Sequence, residues 1–194
     1  MRTNRTILAG LLGRCTALLG AMAVVWTGGC ASGSSLDDFD ITRSAETVIK
    51  GSLLSQVLSS LGFAGLSDMQ LSNSAEMKNQ GVKPNQIDSV RLKLMRLRVK
   101  SPAGQDLTFF KSIQFFAESQ GLEKKLVAKG GPFAAGATQV DLQLVDADLK
   151  AYVTAPSMSL TTAVDGHPPP QDTTIEATVT LRVDVNVTGA VTGN

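Results

Sequence analysis

The sequence predicts a mainly β protein, an antiparallel β-sandwich of about six to eight strands with one short N-terminal helix packed on it. Three observations predict it. Near the C-terminus Ile175, Ala177, Val179, Leu181, Val183, Val185 and Val187 alternate with Glu176, Thr178, Thr180, Arg182, Asp184 and Asn186, and period two over this length is a strand with one dry and one wet face. A second long strand is expected from Ile87 to Lys100. Between shorter apolar runs sit Gly- and Pro-containing breaks such as Ser101-Pro102-Ala103-Gly104 and Gly130-Gly131-Pro132-Phe133, the punctuation of a many-stranded antiparallel protein.

Taken in chain order, the first element is a targeting segment. Arg2, Arg5 and Arg14 are the only charges before Asp37, and they precede the uncharged run from Cys15 to Gly29, the order of a secretory signal. That run falls short of the roughly 18 to 20 apolar residues that span a bilayer. It ends in Thr27-Gly28-Gly29-Cys30, which resembles the lipobox of bacterial lipoproteins, with Thr27 at a position where an aliphatic residue is usual. The resemblance implies cleavage before Cys30, a thioether-linked diacylglycerol and further acyl chains such as palmitate on Cys30, and, because Ala31 rather than Asp follows, an outer-membrane address. Ala31 to Ser35 is a Gly/Ser tether suited to lifting a domain off a membrane; several acyl chains on one residue anchor stably where one does not. An ordinary cleaved signal with an incidental cysteine is the alternative. The expected organisation is signal peptide 1–29, lipidated tether 30–36, sandwich 37–188 and frayed tail 189–194.

Strands are expected at 38–42, 68–78, 112–119, 124–129 and 138–145. Leu53, Leu54, Val57, Leu58 and Leu61 recur at helical spacing between Gly51 and Gly62, so a helix from Ser52 to Leu61, capped by Ser52 and ended by Gly62, is expected to dock on the sandwich. In the strand from Ile87, the apolar parity changes between Leu94 and Leu97, which calls for a β-bulge near Met95 or Arg96. A short helical turn is expected at Asp148 to Thr154, stopped by Pro156. Ser157 to Asp165 alternates and forms a hairpin with the last strand through the loop Gly166 to Asp172.

Composition narrows the function. Loss of residues 1–29 removes three arginines and no acid, leaving 15 Lys+Arg against 17 Asp+Glu and a formal charge of −2, so nucleic acid is not an expected partner. Cys15 leaves with the signal and Cys30 takes the lipid, so no disulfide or cysteine metal site is expected. About 160 residues bury close to 70% of the unfolded surface, enough for one core. His167 is the only histidine and precedes three prolines, which favour an extended loop; neither a zinc site nor a Ser-His pair is expected. The carboxylate clusters Asp37-Asp38-Phe39-Asp40 and Asp141, Asp146, Asp148 lack EF-hand spacing and read as solvated faces or caps. No cofactor and no metal are expected.

Two features invite a binding role. Arg91, Lys93, Arg96, Arg98 and Lys100 lie along one strand, and Arg91, Lys93, Arg98 and Lys100 are the candidates for contact with an anionic surface, where a basic cluster gains roughly 1 kcal/mol per residue. The competing reading is a charged outer face neutralised by neighbouring strands, which resists edge aggregation. The pairs Phe109-Phe110 and Phe115-Phe116 place one ring of each in the core and leave the other needing a cover, either the 52–61 helix or a partner. The expected function is a lipid-anchored, non-enzymatic envelope lipoprotein acting as a structural or protein-interaction module; the alternative is a carrier of an apolar or lipid ligand between helix and sheet.

Overall fold

Alternating residues on the two longest strands bury one parity and wet the other, and that alone stacks two sheets. In the computed structural model, which describes residues 38–51 and 57–186, eight strands form two antiparallel four-stranded sheets. The strands are β1 (Asp38–Ile49), β2 (Ile87–Ser101), β3 (Phe110–Glu118), β4 (Lys125–Gly130), β5 (Gln139–Asp141), β6 (Gln143–Leu144), β7 (Ser159–Gly166) and β8 (Thr173–Val185). The first sheet runs β1-β8-β2-β5 and the second β6-β4-β3-β7. Signal, tether and tail, with Cys30, lie outside the described residues.

The C-terminal strand takes the central place its pattern demands, flanked by β1 and β2. Ile175, Ala177, Val179, Leu181, Val183 and Val185 are all buried, so a bare edge would have left this row wet. The second sheet answers with Ile113, Phe115 and Ala117 of β3, each fully buried. Phe63 joins them, its ring 5.9 Å from that of Phe115.

The expected bulge in β2 is present but falls earlier. Pairing with β8 slips between Leu92 and Leu94, so Lys93, not Met95 or Arg96, is the extra residue. Leu94 thereby turns to the outer side opposite Thr180, while Met95 and Leu97 return to the core.

Residues 138–145 do not make one strand. After β5 pairs with β2, Leu142 donates its N–H to Met95 (2.8 Å) and buries its side chain, and the chain then crosses to pair β6 with β4. This crossover stitches the sheets along one side. Along the other side a 3-10 turn at Ala64–Leu66 packs between β1 and β7; a Cβ on Gly65 would come within 3.0 Å of the Ala45 side chain.

Three further sequence expectations are corrected. The segment 157–165 and the last strand do not form a hairpin: β7 pairs with β3 at an edge of the second sheet while β8 lies between β1 and β2 in the first, so the 166–172 loop carries the chain from one sheet to the other. Residues 57–61, the C-terminal half of the proposed 52–61 helix, are not helical; they run beside the free edge of β7, and residues 52–56 lie outside the described residues. Leu58 donates to the Gly166 carbonyl (3.2 Å), Val164 donates to that of Ser59 (2.9 Å), and the Leu61 N–H and carbonyl both engage the Thr162 hydroxyl. A ten-residue helix is marginal alone and Ser59 and Ser60 disfavour it, whereas an unpaired strand edge offers ready backbone partners. The expectation that this segment docks holds in part, since Leu58 and Leu61 pack against the core while Val57 is exposed. Residues 68–78 are likewise not a strand. Only Met69 bridges, to Met158; a 3-10 turn follows at Leu71–Asn73, then a short helix α1 (Ala75–Asn79) capped by the Ser74 hydroxyl. The expected turn before Pro156 is α2 (Lys150–Thr154), whose first N–H groups include one held by Asp148 (Lys150 N–H, 2.9 Å).

Candidate functional site

The outer faces of the two sheets differ in chemistry, and that difference locates the candidate site. On the first sheet, every member of the basic stripe holds a carboxylate. Arg91 pairs with Asp146, Lys93 with Asp40 (2.6 Å), Arg96 bidentately with Asp141 (2.6 and 2.9 Å), Arg98 with Glu176 (3.0 Å), and Lys100 with Glu176 and Glu46 (3.2 and 3.5 Å). Arg96 holds the Asp141 carboxyl below its ordinary range. Between the ion pairs run hydroxyl contacts, Thr42 to Thr180 (3.0 Å) and Ser44 to Thr178 (2.9 Å). The stripe legible in sequence is thus a balanced face, in which the pull of five cations toward an anionic surface is offset pair by pair. Exposed pairs of this kind add about 0–1 kcal/mol each; their larger effect is to keep the face charged and wet.

The two carboxylate clusters are spent in the same way. Asp38 pairs with Arg182 and Asp40 with Lys93, and Asp148 accepts from the N–H groups of Val90 and Lys150. Among the described residues no group of three or more His, Cys, Asp or Glu side chains is placed to hold a metal ion. His167 is exposed in its loop, its N–H donating to the Phe109 carbonyl.

The second sheet presents a different outer face. The parity opposite to Ile113, Phe115 and Ala117 carries Ser112, Gln114, Phe116 and Glu118 on β3, and the register sets them beside Asp165, Ala163, Thr161 and Ser159 of β7. On β4, Leu126 lies opposite Phe116 and Lys129 opposite Gln114; on β6, Gln143 lies opposite Lys129. Of the four paired phenylalanines, Phe109, Phe110 and Phe115 are buried and Phe116 alone faces outward, half-buried. Phe109 lies in the turn before β3, closed by the Phe110 N–H on the Leu107 carbonyl (3.1 Å), so it escapes strand alternation and both members of the first pair turn inward.

Among the described residues no other aromatic ring packs on Phe116. The Lys124 ammonium stands 4.7 Å from its ring centroid and pairs with Glu118 at 2.6 Å. Thr161 also donates to Glu118 (2.6 Å), and the Lys124 and Thr161 contacts hold the Glu118 carboxyl below its usual range.

Two shallow depressions flank this aromatic centre. One, of about 370 Å³, is lined by Asp68, Glu118, Ser119, Gln120, Ser157 and Ser159. Its rim is fixed by Ser119, which donates to the Ser157 carbonyl (2.7 Å), and by Ser159, which accepts the N–H of Asp68 (2.9 Å). The other, of about 290 Å³, is lined by Ser112, Ile113, Gln114, Lys129, Gly130, Gly131 and Gln143. Carboxamides, hydroxyls, the ammonium groups of Lys124 and Lys129 and the carboxylates of Asp68 and Glu118 around a half-buried ring form a hydrogen-bonding surface suited to recognition.

Sequence reasoning singled out Phe116 but missed Gln114, Lys129 and Gln143. Each sits in an expected strand, yet nothing along the chain says that three residues from separate strands share one level. The carrier alternative placed a ligand between the helix and a sheet; Leu58 and Leu61 lie in extended chain against the core, and both depressions beside Phe116 are polar. No protein-family model and no curated protein matches this chain.

Proposed function

We propose that this chain is an envelope lipoprotein, anchored in the outer membrane through lipid on Cys30, whose sandwich acts as a non-enzymatic interaction module and presents the outer face of the β6-β4-β3-β7 sheet to a partner. The observation that carries this reading is the contrast between the faces. The basic stripe of the first sheet is compensated by acids beside it, whereas the second leaves carboxamides, hydroxyls and a half-buried phenylalanine open beside two depressions. The tether supports it: Cys30 and Asp38 are eight residues apart, a reach of at most about 29 Å, so an anchored sandwich works close to the membrane surface.

The test uses intact cells. A photo-crosslinking residue at position 116 is expected to give one discrete adduct, one at position 98 none, and Cys30→Ser is expected to abolish both palmitate incorporation and the adduct. Equal adducts from the two positions, or none from 116, would refute the assignment of the face; wild-type protein that takes up no labelled fatty acid would refute the anchor.

A further inference from the structure

We infer that the depression on β3, β4 and β6 is a binding site for a carboxylate, presented by a short peptide and received on the row Gln114, Lys129, Gln143. The inference rests on the interaction-module reading and names the chemistry that the face recognises. Register places the row: Gln114 is opposite Lys129, and Lys129 is opposite Gln143, so three adjacent strands, about 4.8 Å apart, offer amide, ammonium and amide side by side.

Lys129 stands apart from the other strand cations among the described residues. Arg43, Arg91, Lys93, Arg96, Arg98, Lys100, Lys111 and Arg182 each lie within 4.0 Å of a carboxylate, and Lys125 reaches the Asp148 carbonyl (3.4 Å) and the face of Tyr152. Lys129 is exposed and has no such partner, and no acidic residue lines its depression. The site is also kept open by its backbone. Beyond Lys129 the strand ends at Gly130 and the chain continues through Gly131, where, with φ of +99°, a Cβ would stand 2.6 Å from the Lys111 carbonyl oxygen and 2.9 Å from Ser112 Cα, so no side chain closes that end.

The donor set favours a carboxylate over a phosphate. One ammonium matches a single negative charge, and a carboxamide on either side can donate to each of the two oxygens while its own carbonyl accepts an N–H from the same peptide. A phosphate monoester, near a charge of −2 with three oxygens, calls for several cations or a guanidinium fork, neither of which lines this depression.

The experiment titrates the full-length lipoprotein, purified in detergent micelles and carrying ¹⁵N-glutamine, while its side-chain amide signals are followed. N-acetyl-alanyl-alanine probes a terminal carboxylate, N-acetyl-glutamate amide a side-chain carboxylate, and N-acetyl-alanyl-alanine amide and inorganic phosphate are the comparisons. At least one of the two acids is expected to shift Gln114 and Gln143 with saturation in the millimolar range, and which of them does so identifies the source. The neutral peptide is expected to shift neither, Lys129→Gln to weaken binding at least fivefold, and Lys78→Gln to leave it unchanged. Equal binding of acid and amide, no shift with either acid, unaltered binding by Lys129→Gln, or phosphate binding as tight as the peptide acid would each overturn the inference. The crosslink from position 116 reports on the interaction face separately, so its success with failure here would leave a partner recognised by other chemistry.

Discussion

Replacing Glu76 by Gln tests a charge that the fold has drawn to the inner side of an edge strand. Arg43 shares the inward parity of Ile41 and Ala45 on β1, and its guanidinium holds the Glu76 carboxylate of α1 bidentately at 2.7 and 3.0 Å. An inward-pointing charge is one of the devices that discourages strand addition at an open edge. The Arg43 hydrogen bonds hold the Glu76 carboxyl at about 2, against an ordinary 4.5. At about 1.4 kcal/mol for each tenfold change in proton affinity, that difference sets a ceiling of about 3 kcal/mol. The two side chains are 29% and 33% exposed, so solvent screening lowers the expected contribution to about 1–2 kcal/mol. Because the carboxyl is depressed in the folded state, the contribution is complete above pH of about 4.5 and is lost as pH falls toward 2. Urea unfolding of wild type and Glu76→Gln from pH 7 to pH 2 measures it. Wild type is expected to be the more stable at pH 7 and the two curves to converge at the acid end. Parallel curves, with a difference independent of pH, would show that the pair contributes nothing through its charge.

Three further outcomes follow from the same structure. Phe115→Ala is expected to cost about 3–5 kcal/mol because its ring is fully buried against Phe63, and Phe116→Ala about 1 kcal/mol or less because its cover is a solvated lysine; chemical denaturation giving the reverse order would mean that the faces of β3 are misassigned. Gly131→Ala is expected to destabilise by about 2 kcal/mol or more, since a left-handed backbone and contact with the Lys111 carbonyl act together, and a silent substitution would show that the β4 end yields freely. Amide exchange is expected to be slowest along Ile175 to Val183 in the central strand and fast at Gln143 and Leu144, a two-residue edge; uniform exchange across the two sheets would contradict this placement.

Much of the architecture was legible because it rests on period two. Along β8, strict alternation of aliphatic and polar residues left one solution, a covered strand in a two-layer β protein, and the parity change in β2 announced a bulge within a few residues of where it lies. The turn before Pro156 and the exposed loop around His167 were equally local properties, set by residues within a few positions of one another. The export signal and the lipid on Cys30 are proposals that rest on the sequence alone.

Tertiary structure decided what depended on an unsatisfied partner elsewhere. The apolar spacing of residues 53–61 is compatible with a helix in isolation, and the open edge of β7 gave residues 57–61 extended pairing instead. Residues 138–145 alternate like one strand, yet Leu142 carries the chain from one sheet to the other because both inward faces need an edge completed there. The same holds for charge. Arg91 to Lys100 looked like a positive stripe until cross-strand acids came beside it, while Lys129, unremarkable in the chain, became the uncompensated cation of a three-strand row. Alternation fixes which face a residue occupies; register fixes its neighbours, and register is set by the packing of the whole sheet.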